Sequence, residues 1–387
     1  MKTKICIISS SRADYGLLKN LIKTIEKSEK FFLQFIVTGS HLSNKHGSTI
    51  QEITDDKVKI NKTVNILKKT NTNKDIGLTV GHSVQKFVKV MSELSPDITL
   101  ILGDRYEIFS AAISSAFLKI PIAHIHGGEI TEGAIDDNLR HAITKLAQVH
   151  FVSTETYRKR VIQMGEQPGK VYNVGSLGVE NLKSAKLLPK NKVEDILLFK
   201  FLKRNIIVTY HPVTLDKDPA KGIDILLKVL SKFPEIGKIF TYANADVLGY
   251  EITKKIKKFV IEDKNSKVFS NLGQINFFSC LKYCDGIVGN SSSGIIEASS
   301  LKKWSLNIGN RQKGRLKPCS VFDVKLKEED IFKKLKFLLK NKDSTKNLSY
   351  KNPYFKKNTS LNIVKKLELF NTKEISRKKF FDINNIF

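Results

Sequence analysis

Short apolar runs rich in β-branched residues alternate along this chain with amphipathic, lysine-faced segments. Such alternation predicts buried strands joined by helical crossovers. In the first half it predicts strands at 4–9, 32–37, 97–102, 121–125 and 149–152, with helices at 17–26, 84–94, 109–118 and 137–147. The second half repeats the rhythm, with strands at 205–210, 238–242, 286–288 and 304–308 and helices at 223–233, 250–259 and 294–300. A βαβα order implies an α/β protein with parallel, doubly wound sheets. The Lys/Asn-rich stretch 182–199 sits where a linker belongs, and 387 residues exceed one small core. Two Rossmann-like domains are therefore expected, over 1–181 and 182–371, followed by a basic, weakly patterned tail at 372–387.

The polar motifs fall just after strands. Ser9-Ser-Ser-Arg12-Ala-Asp14-Tyr-Gly16 follows the first, and Gly103-Asp104-Arg105 and Gly127-Gly128-Glu129 follow two others. In the second half His211-Pro212, Ala243-Asn244-Ala-Asp246, Gly289-Asn-Ser-Ser-Ser-Gly294 and Gly309-Asn-Arg311-Gln-Lys-Gly-Arg315 do the same. Open α/β sheets bind ligands at the carboxyl ends of their strands. Two such edges facing one another would line a central cleft.

Charge changes this picture less than its size suggests. A formal charge of +28 raises nucleic-acid binding as a different class of function, but lysine supplies nearly all of it, spread along the chain. No RNA-binding module accompanies it. Only nine basic residues are arginine, and five of those (Arg12, Arg105, Arg140, Arg311, Arg315) lie inside the motifs above or the segment 103–141. The lysines thus read as a solvated surface that attracts anionic substrate, and the arginines as specific contacts. Cys6, Cys280, Cys284 and Cys319 form neither a disulfide framework nor a CxxC pair, which reads as buried thiols in a reducing compartment. The apolar run 5–8 is too short for a signal peptide. No stretch approaches the roughly 18 apolar residues of a membrane span. A cytoplasmic protein with no membrane partner is expected.

The chemistry concentrates at 103–141, which holds His124, His126 and His141 among the carboxylates Asp104, Glu129, Asp136 and Asp137. Groups able to exchange protons at neutral pH point to an enzyme. Asp104 reads as either a helix-start residue or a base at the mouth of a sheet. His124 and His126 face one side only if their strand runs through both. A metal site is the weaker reading of the cluster. Helical spacing pairs Asp136 with Arg140 and Asp137 with His141. In the second half, the small residues around Ser291, Ser292 and Ser293 let backbone N–H groups approach a diphosphate at a helix start. Glu297 is placed to accept from ribose hydroxyls, with Arg311, Arg315 and Arg12 as cationic partners. Neither a P-loop nor a strand–GxGxxG–helix unit is present.

Together these motifs resemble the UDP-N-acetylglucosamine 2-epimerases, most closely the hydrolysing branch that serves sialic-acid-type sugar synthesis. The resemblance covers roughly residues 2–370 through Ser-Arg12-Ala-Asp-Tyr-Gly, Gly-Asp104-Arg105-Tyr-Glu, His-Ile-His126-Gly-Gly-Glu129, Ile-Asp136-Asp-Asn-Leu-Arg140-His141, His211-Pro, Gly-Asn-Ser-Ser-Ser-Gly-Ile-Ile-Glu297 and Ile-Gly-Asn-Arg311-Gln-Lys-Gly-Arg315. It implies a glycosyltransferase-B-like fold, with UDP held mainly by the second domain and a C-terminal helix from about 352 crossing back to the first. It also implies release of UDP and ManNAc from UDP-GlcNAc through a 2-acetamidoglucal, or the same chemistry on UDP-N,N'-diacetylbacillosamine. Asp104 and Asp136 match the family's catalytic carboxylates. His126 stands where many relatives have Glu, so the acid/base role lies with His126 or Glu129. His211 matches a residue near the diphosphate and sugar. Ser291, Ser292, Glu297 and Arg311 match UDP-binding positions, with Arg12 as a phosphate contact. Arg105, Asn244, Ser293 and Arg315, in the same strand-end motifs, complete the candidate substrate contacts. The likeness implies a homodimer or homotetramer and requires no metal or nicotinamide cofactor.

Overall fold

A computed structural model of the chain describes residues 2–43, 49–66, 72–132, 134–213, 218, 221–243, 249–340, 350–370 and 378–383. Its contacts divide it into two units: Met1–Glu129 with Asp136–Asn181 and Tyr354–Phe387, and Ile130–Ile135 with Leu182–Pro353.

The first unit is built on seven strands: β1 (Thr3–Ser9), β2 (Phe31–Thr38), β3 (Lys62–Val64), β4 (Ile98–Leu102), β5 (Ile122–Ile125), β6 (Val149–Val152) and β7 (Val171–Asn173). They lie in the order β3-β2-β1-β4-β5-β6-β7, all parallel. The helices are α1 (Arg12–Glu26), α2 (Ile50–Asp55), α3 (Asn73–Leu94), α4 (Tyr106–Phe117), α5 (Asp136–Leu146), α6 (Glu155–Gln163) and α7 (Leu177–Ser184). β1 shows why the sheet is doubly wound. Ile5 and Ile7 pack with Leu18, Leu21 and Ile363 on one face, while Cys6 and Ile8 pack with Phe87, Met91 and Ile108 on the other. A strand covered on both faces reads as a continuous apolar run rather than an alternating one.

The second unit begins with α8 (Lys190–Leu197) and carries β8 (Asn205–Thr209), α9 (Lys221–Leu230), β9 (Gly237–Thr241), α10 (Gly249–Glu262), β10 (Ser266–Phe269), α11 (Gln274–Tyr283) and β11 (Gly286–Gly289). Then come α12 (Ser293–Ile296), β12 (Trp304–Ile308), β13 (Val321–Val324) and α13 (Glu328–Lys340). Its six strands are parallel in the order β10-β9-β8-β11-β12-β13. Ile206 and Val208 bury on one face of β8 and Ile207 on the other. The fold is therefore two parallel-sheet, Rossmann-like α/β domains.

Several elements depart from the hydrophobic pattern. α3 starts at Asn73, well before the apolar period at 84, because a Thr72–Asp75 capping box nucleates it. Its buried face there carries Thr79 and Ser83, whose hydroxyls bond back to Asp75 and Thr79 carbonyls at 2.8 and 2.6 Å. Small polar residues that satisfy themselves leave no hydrophobic signal. The stretch 182–199 carries helix, since Val193 and Leu197 of α8 bury against Cys280 and Leu281. Near the C-terminus the helix, α14 (Thr359–Leu367), begins seven residues beyond Asn352. Pro353 lacks an N–H, Tyr354 is buried with its hydroxyl 2.8 Å from that of Tyr157, and Asn358 is left-handed (φ 58°). Ile363, Val364 and Leu367 of α14 then join the core beside β1.

Residues 378–383 pack within the first unit. Lys378 Nζ donates to the carbonyls of Thr144, Lys145 and Ala147 at 3.3, 2.7 and 2.8 Å, which caps the C-terminal end of α5. It also pairs at 2.7 Å with Glu166, a carboxylate 2% exposed that Lys145 and His150 contact at 2.7 and 2.9 Å. These three partners outweigh burial and hold Glu166 down at about 2. Replacing Lys378 by Ala removes one cation and three donors, and should cost about 1–3 kcal/mol. Thermal melting should show a clear drop for Lys378→Ala and none for the exposed Lys357→Ala; equal melting of the two variants would contradict the cap.

Candidate functional site

In the first unit, neighbouring strands β4, β5 and β6 bring their carboxyl ends together. β5 stops at Ile125, and His126 turns the chain with φ +66°. A left-handed non-glycine residue costs roughly 1–2 kcal/mol. Its N–H is secured by the Phe151 carbonyl at 2.9 Å. Gly128 (φ +76°) must remain glycine, because a Cβ there would lie 2.7 Å from the Tyr157 carbonyl oxygen. The strand therefore does not run through both histidines. His124 is fully buried, with Nε2 2.8 Å from the Gly103 carbonyl and Nδ1 3.1 Å from Thr144 Oγ1. Burial pushes its imidazole down to about 3, which makes it a neutral scaffold residue.

Arg140, on the second turn of α5, joins the acidic residues. Only 4% exposed, its guanidinium pairs with Asp104, donates at 2.8 Å to the Glu129 carbonyl oxygen and lies 3.5 Å from Asp137. Asp137 in turn lies 3.6 Å from His141 Nε2, the i,i+4 pair that spacing predicts. Asp136 opens α5 and is half-buried. The Glu129 carboxylate accepts from Ser153 Oγ at 2.8 Å and lies 3.9 Å from His126 Nδ1. Arg105 is gripped by buried Glu107 through contacts of 3.1 and 3.2 Å. Glu107's carboxyl is raised by burial, with Arg105 opposing that shift.

At the end of β1, Ser11 caps α1 and Asp14 accepts from the N–H groups of Ser10 and Ser11 at 2.8 and 3.0 Å. Arg12 opens the helix beside them. Burial lowers its pKa, against the attraction of Glu52, and its Nη1 is buried with no acceptor among the described residues. A half-buried guanidinium with an unfilled, buried donor at a helix start suits an anion. Beneath it, fully buried His41 bridges Ser9 Oγ (2.9 Å) and Thr49 Oγ1 (2.7 Å), and burial pushes it down to about 4.

The second unit organises its strand ends around Asn290, which is fully buried. Its side-chain amide accepts from His211 N–H and donates to the His211 carbonyl oxygen, both at 2.8 Å. Its own carbonyl accepts from Arg311 Nη1 at 3.2 Å and Gln312 Nε2 at 3.0 Å. Ser291, Ser292 and Ser293 follow, half-buried. The helix expected at 294–300 is one turn, α12, then a 3-10 turn at Ala298–Leu301 that ends at left-handed Lys302 (φ 57°). Glu297 is the C-cap of α12 and is buried, and so short a helix contributes little macrodipole. Arg315 Nη2 donates to Thr131 Oγ1 at 3.2 Å within this unit. Asn244 lies outside the described residues. Among the described residues no group of three or more His, Cys, Asp or Glu side chains could hold a metal ion, and no helix is long and apolar enough to cross a membrane.

The structure adds Ser153, Asn290, Gln312 and His41 to the groups that position these ends. Asn290 stands inside a motif visible in the sequence; Ser153 carries no local signal, since its partner Glu129 is 24 residues away, and His41 bonds Ser9, 32 residues away, as well as Thr49.

Strand-end carboxylates on one parallel sheet and a serine–arginine turn on another accord with the matching family model, UDP-N-acetylglucosamine 2-epimerase, which spans residues 23–368. The chain belongs to this family. It is 39% identical over 383 residues to "Polysialic acid biosynthesis protein P7" of Escherichia coli, covering 98% of this chain and 97% of that protein. It is 40% identical over 337 residues to "GDP/UDP-N,N'-diacetylbacillosamine 2-epimerase (hydrolyzing)" of Campylobacter jejuni, covering 86% and 88%. The fold matches the UDP-GlcNAc 2-epimerase of Neisseria meningitidis, crystallised with UDP-GlcNAc, with TM-score 0.80 at 18% identity over 95% of this chain and 100% of that one.

The buried histidines set the acid side of this family member's stability. Unfolded imidazoles protonate near about 6.5, whereas His41 and His124 do so near about 4 and about 3 in the fold. Below 6.5 the unfolded state therefore binds more protons, and stability falls progressively toward pH 3. Melting temperatures should be flat above pH 7 and decline below pH 6.5, less steeply in His124→Gln; an unchanged melting temperature down to pH 5 would contradict this.

Proposed function

We propose that the protein is a hydrolysing UDP-GlcNAc 2-epimerase that converts UDP-GlcNAc and water into ManNAc and UDP. The observation that carries this reading is the buried Arg140–Asp104 pair, with Glu129 and His126 beside it, at the carboxyl edge of the first sheet. Family membership supports it. A base takes the proton from C2 of the sugar, the C1–O bond breaks, and UDP leaves with the bonding electrons, forming the C1–C2 double bond of a 2-acetamidoglucal. Water then adds at C1, and a proton returns to C2 from the opposite face. Asp104 and Asp136 are the carboxylates of this proton transfer, with the further acid/base role at His126 or Glu129 and His211 near the departing diphosphate. Ser291, Ser292, Ser293, Glu297, Arg311, Arg315, Asn244, Arg12 and Arg105 hold the UDP-sugar. Cationic and N–H donors aimed at the leaving diphosphate lower the barrier without a metal ion.

A second reading keeps this chemistry on UDP-N,N'-diacetylbacillosamine. Its support is the pair of hydrolysing epimerases of that sugar, from Campylobacter jejuni at 40% identity and from Legionella pneumophila at 33%. In either case the enzyme acts in the cytoplasm as a homodimer or homotetramer.

Protein incubated with each nucleotide sugar in heavy water should release UDP and the 2-epimeric free sugar carrying deuterium at C2, and the faster substrate selects between the readings. Asp104→Asn should lower kcat by about 100-fold or more. UDP release with no deuterium at C2 would overturn epimerisation.

A further inference from the structure

We propose that Ser153, Glu129 and His126 form a positioning chain in which Glu129 orients and charges His126, and His126 Nε2 is the atom that exchanges a proton with the sugar. The inference rests on the epimerase reading and assigns roles within it. Ser153, at the end of β6, is fully buried and donates at 2.8 Å to Glu129 Oε1. That same oxygen lies 3.9 Å from His126 Nδ1. A hydroxyl hydrogen bond accepted by a carboxylate favours its charged form. Arg140, bound to the Glu129 carbonyl oxygen and to Asp104, adds a cation on the same side. A carboxylate facing an imidazole favours the ring's charged form. With Nδ1 turned to Glu129, the exchanging atom is Nε2.

The left-handed backbone of His126 fixes where this ring stands. The charged and titratable groups around the chain are Glu129, Arg140 and Asp104, neutral His124 on β5, the Asp137–His141 pair on α5, and Arg160 of α6, which donates to the Gly128 carbonyl at 2.5 Å. Ser153, fully buried and bonded to Glu129, is thus a positioning residue.

The test is the pH dependence of kcat for UDP release by the full chain, in wild type, Ser153→Ala, Ser153→Thr, Glu129→Gln and His126→Gln. His126→Gln should lose about 100-fold or more in kcat. Glu129→Gln should keep measurable turnover with one limb moved to lower pH, because the imidazolium loses its counter-charge. Ser153→Ala should lower kcat at unchanged KM, and Ser153→Thr should restore it. NMR titration of the His126 ring, assigned by its loss in His126→Gln, should show its pKa falling in Glu129→Gln and provides the same comparison if turnover is too slow to read. Glu129→Gln inactive while His126→Gln stays active, or a His126 titration indifferent to Glu129, would overturn the assignment. Wild type inactive on both nucleotide sugars would instead reject the epimerase reading.

Discussion

A single buried cation organises the first sheet's edge. Arg140 projects from the second turn of α5, yet it is bound to Asp104 at the end of β4 and to the backbone of Glu129 after β5. Taking a guanidinium out of water is costly unless its donors are met by charge and hydrogen bonds. Those partners come from two segments outside the helix, so packing the helix on the sheet and bringing the carboxylates together are linked. Truncating Arg140 would leave Asp104 and the Glu129 carbonyl without that cation, a loss larger than an ordinary surface ion pair.

In the second unit a neutral group has the corresponding role. Asn290 makes two reciprocal bonds to the His211 backbone and offers its own carbonyl to Arg311 and Gln312. An amide can donate and accept at once, so it ties the ends of β8, β11 and β12 together without placing another charge beside the arginines. Gly289 makes the approach possible, because a Cβ there would collide with the Thr209 carbonyl. The serines that follow are thereby held half-buried on a turn whose direction is set beneath them.

The strands were legible because parallel strands buried on both faces carry long apolar runs, as Ile5 to Ile8 and Ile206 to Val208 do. Edge strands were not: β3 and β7 are three residues each, and β13 is wholly half-buried or exposed, which leaves no periodic signal. The start of α3 was hidden for the opposite reason, since its buried residues are hydroxyls that bond within the helix. The motifs marked the site's members but not their contacts. Arg140 lies one helical turn from Asp136, and that local spacing conceals its bond to Asp104, 36 residues away.

Net charge misleads in a related way. A lysine-rich chain reads as a solvated surface, and for most of these side chains that holds. Lys238 on β9 is nevertheless fully buried, 2.7 Å from Asp263 and 3.2 Å from the Ile236 carbonyl. Lys378 likewise gives its charge to a buried carboxylate and to the last carbonyls of α5. The two ends of α5 are therefore fixed by different cations, Arg140 among the site's acids and Lys378 at the opposite terminus. A planar fork suits the end where several oxygens must be held in defined directions, and a compact ammonium suits the end where converging carbonyls need only a point charge. The helix that carries Asp136 and Asp137 is consequently anchored independently of whatever the site binds, as preorganised chemistry requires.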